Sequence, residues 1–226
     1  MRESSCPSAL SKLNPAIPIM ERSGNFYSLL ALPAVYRMFG RFVGGDAYRI
    51  YMADYVKPVK AEKIFDIGCG PGDIIEYLPP VDYVGFDINS KYIEAANSRF
   101  GARGRFYCGD VGLSSLDEEA GTFDLALATG VVHHLDDAHA NRLFELAYRA
   151  LKPGGRLITF DGCLVASQPK LARWVVSRDR GQFVRTQEHY ERLASRYFPR
   201  VEAFVRHDLL RIPYTHLILQ CSKPNA

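Results

Sequence analysis

Residues 64–73, which read Ile-Phe-Asp-Ile-Gly-Cys-Gly-Pro-Gly-Asp, constrain the fold more than any other stretch of the chain. A short apolar run followed by alternating glycines is typical of a buried parallel strand that breaks into a tight turn, with a helix following at Ile74. Gly68, Gly70 and Gly72 have no Cβ, so a ligand can lie directly against the main chain. Open α/β sheets bind ligands at the carboxyl ends of their strands, so this loop predicts a site for an extended, nucleotide-like molecule. The alternative is a tight strand-to-helix turn that binds nothing.

The spacing of the glycines and the acids beside them indicate the kind of ligand. The dinucleotide fingerprint is Gly-x-Gly-x-x-Gly, whereas this loop is Gly-x-Gly-x-Gly. Asp66 and Asp73 flank the loop, and their charges would repel a pyrophosphate but attract an ammonium or sulfonium group. Here the chain resembles the class I S-adenosylmethionine-dependent methyltransferases over about residues 60–161. The resemblance implies that the cofactor is S-adenosylmethionine and that the loop binds it through Asp66, Gly68, Cys69, Gly70, Gly72 and Asp73.

Strands and helices alternate after the loop, which predicts an α/β fold. The expected strands are Lys63–Ile67, Val81–Phe86, Arg105–Cys108, Phe123–Ala128 and Arg156–Phe160. Ser90 is the expected cap of the helix after the second strand, and Lys152-Pro153-Gly154-Gly155 is expected to end the helix before the fifth. Single helices between strands require parallel pairing, hence a doubly wound, Rossmann-like sheet. We expect seven strands, mostly parallel, with an antiparallel last strand, because residues 201–205 and 215–221 form a final pair.

Composition predicts one globular domain, residues 25–226, and the proline-rich residues 1–24 predict a loosely held arm before it. The resemblance implies that this is a methyltransferase domain. The predicted subdivisions of this domain are a helical cap at 25–58, a cofactor-binding core at 60–161, a lid segment at 162–198 and a strand pair at 199–222.

Charge and cysteine usage limit the partners. The net charge is +3, without the basic face of a dedicated nucleic-acid binder. The five cysteines are scattered, which argues against a disulfide framework or a zinc site and favours a reducing, cytoplasmic compartment. No stretch is long and apolar enough for a membrane span. We therefore expect a small-molecule acceptor as partner, no nucleic acid, no integral membrane segment and no metal, in a monomer or homodimer.

Two further strand ends carry acids. Asp87 follows the second strand, where an acid can accept both hydrogen bonds of a ribose diol; the alternative is a helix-capping role beside Asn89. Ile88 would form one face of an adenine slot. The resemblance implies that Asp110 accepts a hydrogen bond from the adenine amino group and that Val111 packs near the ring. Ala128 and Thr129, at the tip of the fourth strand, would face the cofactor.

Two adjacent histidines follow the fourth strand. Methyl transfer from a sulfonium is a displacement in which the enzyme aligns the reactants, excludes water and removes a proton from a hydroxyl acceptor. An imidazole, with an unperturbed pKa near 6.5, suits this proton removal. We favour His134 as the base and His133 as second choice, with Asp161 orienting the histidine or touching the substrate. The alternative is a histidine pair that orders the loop through Asp136 or Asp137.

The expected reaction is methylation of a small molecule, with a hydroxyl of a lipid-, sugar- or secondary-metabolite-type substrate as the favoured acceptor. Tyr27, Arg180 and Arg185 are the candidate substrate contacts; for the arginines, a solvent-exposed role is equally open. Three rivals remain: an NAD(P)-dependent oxidoreductase, an RNA methyltransferase and a non-catalytic protein that binds S-adenosylmethionine.

Overall fold

The computed structural model describes residues 46–109, 119–178 and 181–225. Tyr27, Asp110, Val111 and Arg180, together with the predicted arm and most of the predicted cap, lie outside these ranges. Among the described residues no helix combines the length and the apolar character that crossing a bilayer requires.

The described residues contain eight strands: β1 Lys63–Ile67, β2 Asp82–Asp87, β3 Gly104–Cys108, β4 Phe123–Thr129, β5 Leu151–Leu164, β6 Arg185–Thr186, β7 Arg200–Arg206 and β8 His216–Ser222. They form one sheet in the order β3-β2-β1-β4-β5-β8-β7, with β6 paired to the end of β5. β1 to β5 run parallel, whereas β8 is antiparallel to both β5 and β7. The doubly wound class and the antiparallel last strand are confirmed. The strand that was not predicted is β6, which has only two residues and therefore shows no periodic pattern in the sequence.

Helices cover both faces of the sheet. The α-helices are α1 Ala47–Ile50, α2 Ser90–Phe100, α3 Asp137–Ala150, α4 Lys170–Ser177 and α5 Gln187–Ala194. A π-helical segment, Tyr51–Val56, continues α1, and 3-10 helices in the described ranges span Asp73–Tyr77 and Val132–His134. The apolar side chains of α3 and α5 pack on one face of the sheet. Those of α1, the π-helical segment, the first 3-10 helix and α2 pack on the other.

Three local predictions need correction. The helix after the glycine loop starts at Asp73 rather than Ile74 and is a short 3-10 helix. Its length is limited by Pro79 and Pro80, which follow two residues after its end. The cap of α2 is Asn89, whose side chain accepts a hydrogen bond from the Lys91 N–H at 3.0 Å. Helix α3 ends at Ala150, before residues 152–155, as predicted. These four residues, however, form a bulge inside β5 rather than a turn before it.

The sheet order brings the carboxyl ends of β1, β2, β4 and β5 together. β1 lies between β2 and β4, and β4 lies between β1 and β5. Asp87, Thr129 and Asp161 therefore lie along the same edge as the glycine loop, which we call the carboxyl edge. The start of β8 joins this edge, since His216 pairs with Gly162.

Candidate functional site

The glycine loop is fixed by backbone hydrogen bonds to β2. The N–H groups of Gly68 and Cys69 both donate to the Phe86 carbonyl, at 2.8 and 2.9 Å. Asp87, only 8% exposed, accepts from the Gly70 N–H through Oδ2 at 2.9 Å and from the Asn89 N–H through Oδ1 at 2.8 Å. The carboxylate at the tip of β2 thus holds the loop in place from the neighbouring strand.

The three loop glycines serve different purposes, although all have positive φ. A Cβ on Gly68 would lie 2.5 Å from Val131 Cγ2, and one on Gly72 would lie 3.1 Å from the Phe100 ring. These two glycines allow close packing within the protein. A Cβ on Gly70, in contrast, would meet none of the described residues beyond its chain neighbours within 4 Å. Gly70 is therefore the position where the backbone faces open space.

Asp66 is a buried carboxyl with an unused acceptor. It is 2% exposed, and its Oδ2 accepts a hydrogen bond from the Tyr83 hydroxyl at 2.5 Å. Its Oδ1 is buried and has no hydrogen-bond partner in the described part of the chain. Burial raises the pKa of Asp66 from 3.8 to about 7; the Tyr83 hydrogen bond opposes this rise and Asp87 adds to it. A cationic group beside Oδ1 would satisfy this carboxylate.

Tyr51 was not among the predicted site residues, yet it covers this part of the sheet. Its ring is 1% exposed and packs at 5.0 Å from the Phe160 ring, and its hydroxyl donates to the Ile158 carbonyl at 3.4 Å. Burial raises the pKa of the Tyr51 hydroxyl far above its usual range, Thr129 opposes this through its side chain, and Asp66 and Asp161 raise the pKa further. No sequence signal separates this tyrosine from the other aromatic residues of the cap.

The tips of β4 and β5 hold a histidine–carboxylate pair. Asp161 is 2% exposed, and its Oδ1 accepts from the His133 backbone N–H at 3.1 Å and lies 2.8 Å from His133 Nδ1. With Nδ1–H donating to the carboxylate, the lone pair of the imidazole lies on Nε2. The His134 ring is half-buried and packs on the His133 ring with centroids 4.3 Å apart. The carboxylate partner therefore belongs to His133 rather than to the favoured His134.

Residues 181–186 cross this pair. Gly181 packs so tightly on His133 that a Cβ there would lie 2.0 Å from His133 Cδ2, and the Phe183 N–H donates to the His133 carbonyl at 3.0 Å. β6 then pairs with Cys163 and Leu164 at the end of β5. We call residues 181–186 the strap. It fixes His133 from the side opposite the sheet.

Arg185 anchors the strap. Its Nη1 donates to the carbonyls of Val132 and Phe183 at 3.1 and 2.9 Å, and its Nη2 donates to the Leu135 carbonyl at 2.6 Å. Its Nε donates to Asp137 Oδ1 at 2.9 Å. The side chain is 5% exposed. The Arg185 guanidinium therefore holds the turns on either side of His133, and its contact with a substrate stays a prediction.

Two predicted cofactor contacts also have partners inside the protein. Asp73 forms an ion pair with Arg99, which additionally binds the Pro71 carbonyl and Glu76, so this acid fixes the loop to α2. The Ala128 side chain is 0% exposed and belongs to the apolar core, which leaves only its backbone for a ligand. Ile88 is 38% exposed beside Asp87, and Thr129 is half-buried at the tip of β4. No cluster of metal-binding side chains occurs within the residues described.

The sheet order, the antiparallel last strand and the glycine loop at the carboxyl edge define a Rossmann-like methyltransferase class. Residues 64–155 match the family model described as a methyltransferase domain. Over these residues the chain thus matches an enzyme of the class I S-adenosylmethionine-dependent methyltransferase type. This family match favours S-adenosylmethionine over the nicotinamide cofactor of the first rival.

Curated relatives transfer methyl groups to different atoms. Phosphoethanolamine N-methyltransferase of Plasmodium falciparum is 31% identical over 106 residues, 45% of this chain and 39% of that protein. A ubiquinone/menaquinone biosynthesis C-methyltransferase of Dinoroseobacter shibae is 26% identical over 139 residues, 56% of this chain and 54% of that one. Malonyl-[acyl-carrier protein] O-methyltransferase of Legionella pneumophila is 27% identical over 115 residues, 49% and 37% of the two chains. The chain thus spans about half or less of the length of these relatives.

Among solved structures, Haemonchus contortus phosphoethanolamine N-methyltransferase 2, in complex with phosphomonomethylethanolamine and S-adenosylhomocysteine, shares the fold. The TM-score is 0.67 at 17% identity, covering 90% of this chain and 61% of that one. At this identity the likeness concerns the fold alone.

The residues at the loop fit S-adenosylmethionine. Asp66 Oδ1 is a buried acceptor without a described partner, and the donor carries an ammonium and a sulfonium. The open space at Gly70 leaves room for a ligand against the main chain.

The loop glycines give the first prediction. Gly68→Ala should lower the free energy of unfolding by about 2–4 kcal/mol, because a left-handed backbone and a clash with Val131 add up. Gly70→Ala should cost only the backbone term, about 1–2 kcal/mol, yet weaken S-adenosylhomocysteine binding several-fold. Urea denaturation and titration calorimetry measure the two effects. Adding Val131→Ala should recover part of the stability lost in Gly68→Ala; equal stabilities of the two glycine variants would contradict this division of roles.

Asp66 gives a pH-dependent prediction. Between about pH 4 and 7 the folded protein holds a proton on Asp66 that the unfolded chain has released, so stability falls as the pH rises through this range. The change in pKa from 3.8 to about 7 corresponds to about 4 kcal/mol. In the absence of ligand, Asp66→Asn should therefore gain stability relative to the native protein as the pH rises, in urea denaturation series.

Asp124 provides the control for this series. Its pKa is lowered: burial opposes the shift, but hydrogen bonds from the Lys152 side chain and the Lys63 backbone outweigh it. Its stabilising effect is lost only near and below the ordinary carboxyl pKa, so Asp124→Asn should lower stability by the same amount at every pH from about 5 to about 8. If the Asp66→Asn curve also ran parallel to the native one, Asp66 would not carry this proton.

Arg185 gives the third prediction. Arg185→Lys keeps the charge but leaves buried carbonyl groups without donors, so the free energy of unfolding should fall by about 3–5 kcal/mol. The matched control is Arg192→Lys on the exposed side of α5, which should change stability by less than about 0.5 kcal/mol. Thermal and urea denaturation decide between them. A stable Arg185→Lys protein with a raised KM for the acceptor would support the substrate-contact role instead.

Proposed function

We propose that the chain transfers the methyl group of S-adenosylmethionine to a hydroxyl of a small-molecule acceptor of the lipid, sugar or secondary-metabolite type. The observation that carries the proposal is the buried His133–Asp161 pair at the carboxyl edge, where His133 follows β4, the neighbour of β1, and Asp161 lies on β5. A class I methyltransferase domain supports the donor, and a histidine with a carboxylate partner supports proton removal from the acceptor.

The loop residues would hold the donor. Asp66 Oδ1 would accept from its cationic end, and the backbone at Gly70 would lie against it. Asp87 keeps the loop in its binding shape through the Gly70 N–H, and Ile88 offers an exposed apolar side chain beside it. When bound, S-adenosylmethionine supplies an electrophilic methyl group on its sulfonium.

The histidine pair would do the proton chemistry. Asp161 Oδ1 holds the His133 ring by accepting from Nδ1–H and from the backbone N–H, so Nε2 is the atom that would take the acceptor's proton. The same carboxylate would stabilise the imidazolium that results. Burial of His133, at 7% exposure, and coverage by the strap keep water from its ring.

A hydroxyl acceptor fits this arrangement because an alcohol becomes a good nucleophile only when its proton is removed as the new bond forms. An amine carries a lone pair once it is neutral, so it depends less on a base. The relatives named for N-, C- and O-methylation leave all three atoms open for this family.

The proposal predicts separable effects on binding and turnover. His133→Gln and Asp161→Asn should each lower kcat by about 10²-fold while S-adenosylhomocysteine binds within about twofold of its native affinity, about 0.4 kcal/mol. The increase of kcat with pH that reports the base should flatten in both variants. Transfer of labelled methyl to a panel of hydroxyl-bearing small molecules supplies the rates, and calorimetry supplies the affinities.

His134→Gln is the matched control, since it changes the neighbouring ring and keeps the carboxylate pair. A larger loss of turnover in His134→Gln than in His133→Gln would return the role of base to His134. If His133→Gln also lost its affinity for S-adenosylhomocysteine, His133 would not act as a base separate from cofactor binding. Binding of S-adenosylmethionine with no labelled product from any acceptor would favour the non-catalytic rival, and labelling of RNA alone would favour the nucleic-acid rival.

A further inference from the structure

Helix α4 is anchored at the carboxyl edge. It follows β5 closely, and Gln168, two residues before it, donates to the Cys163 carbonyl at 3.4 Å and to Thr215 Oγ1 at 2.7 Å. Ala172 and Val176 are the buried residues of the helix. α4 thus rests on the end of β5 with one side and presents the other to the surroundings.

The outer side of α4 is apolar at its centre. Trp174 is 54% exposed and Leu171, one turn away, is 59% exposed. By the 100° advance per residue, Trp174 lies opposite the midpoint of Ala172 and Val176. Single exposed apolar side chains are common on proteins, so this pair alone indicates nothing.

The charged side chains of α4 itself have one sign. Lys170, Arg173 and Arg178 belong to the helix or follow it directly, and residues 162–178 contain no aspartate or glutamate; Asp179 and Arg180 come next in the sequence. The Arg178 guanidinium lies 4.6 Å over the Trp174 ring. In the ranges the structure covers, neither Lys170 nor Arg173 forms an ion pair with an acid. The outer face of α4 therefore combines three cationic side chains with an exposed tryptophan and leucine.

We propose that this face of α4 binds the surface of a membrane that bears anionic headgroups. Tryptophan and leucine flanked by lysine and arginine are the composition of helices that lie in the membrane interface, and positive charges complement anionic lipids. Two apolar side chains on a convex helix are far too small for the core of a stable protein interface, so an acidic protein partner is less favoured. The contact does not depend on the proposed methyl transfer.

Trp174 reports on its own environment because it is the one tryptophan of the sequence. Its fluorescence is measured while vesicles of phosphatidylcholine, alone or mixed with phosphatidylglycerol, are added to the full chain. The emission should shift to shorter wavelength with the anionic vesicles only, and added salt should reverse much of the shift. Arg173→Ser should weaken co-sedimentation with these vesicles roughly fivefold, as expected for one lost cationic side chain, and Leu171→Ala should weaken it too.

Val59→Ala is the matched control, because Val59 is 60% exposed and precedes β1 at the opposite edge of the sheet. It should leave vesicle binding unchanged, and all variants should melt like the native protein since the altered side chains are exposed. An unchanged Trp174 spectrum with anionic vesicles would overturn the proposal. So would an equal shift with phosphatidylcholine alone, or a shift seen with an acidic carrier protein but not with vesicles. The assay contains neither methyl donor nor acceptor, so its failure would leave the proposed function untouched.

Discussion

The hydrogen bond from the Gly70 N–H to Asp87 is the contact on which the rest of the site depends. It ties the loop after β1 to the tip of β2, and the two bonds from Gly68 and Cys69 to the Phe86 carbonyl continue the β1–β2 pairing into the loop. A loop with three positive-φ glycines would otherwise be free to sample many shapes. Because both Asp87 oxygens accept backbone N–H groups, the acid supports the binding surface before any ligand arrives.

Buried carboxyl groups along the carboxyl edge share one physical problem and solve it differently. Asp87 is satisfied by the backbone, and Asp161 uses Oδ1 for His133. Asp66 keeps one oxygen without a described partner. Because the carboxyl is buried, its pKa rises to about 7. Burial of the Asp66 carboxylate lowers the stability of the fold, and a cationic group beside Oδ1 would recover part of that free energy on binding.

The sequence analysis succeeded where a pattern is local. The strand–glycine–helix signature, the acids at strand ends and the alternating apolar runs are properties of neighbouring residues, and they predicted the sheet and its edge. It did not reveal contacts between residues far apart in the chain. The Arg185 guanidinium donates to the turns around His133, and Asp73 pairs with Arg99, and no local pattern links these partners. Tyr51 shows the same limit, since its contact with Ile158 spans 107 positions.

The order of glycines, acids and apolar runs by itself determined the fold class, the cofactor loop and the set of histidines and acids from which a base is chosen. Only the tertiary structure showed that Asp161 pairs with His133 rather than with His134, because adjacent residues on a chain point in different directions and this carboxylate, on another strand, reaches one of them. This pairing required the register of β4 against β5, which is fixed by packing of the whole sheet between its two helical layers and not by any residue near the histidines.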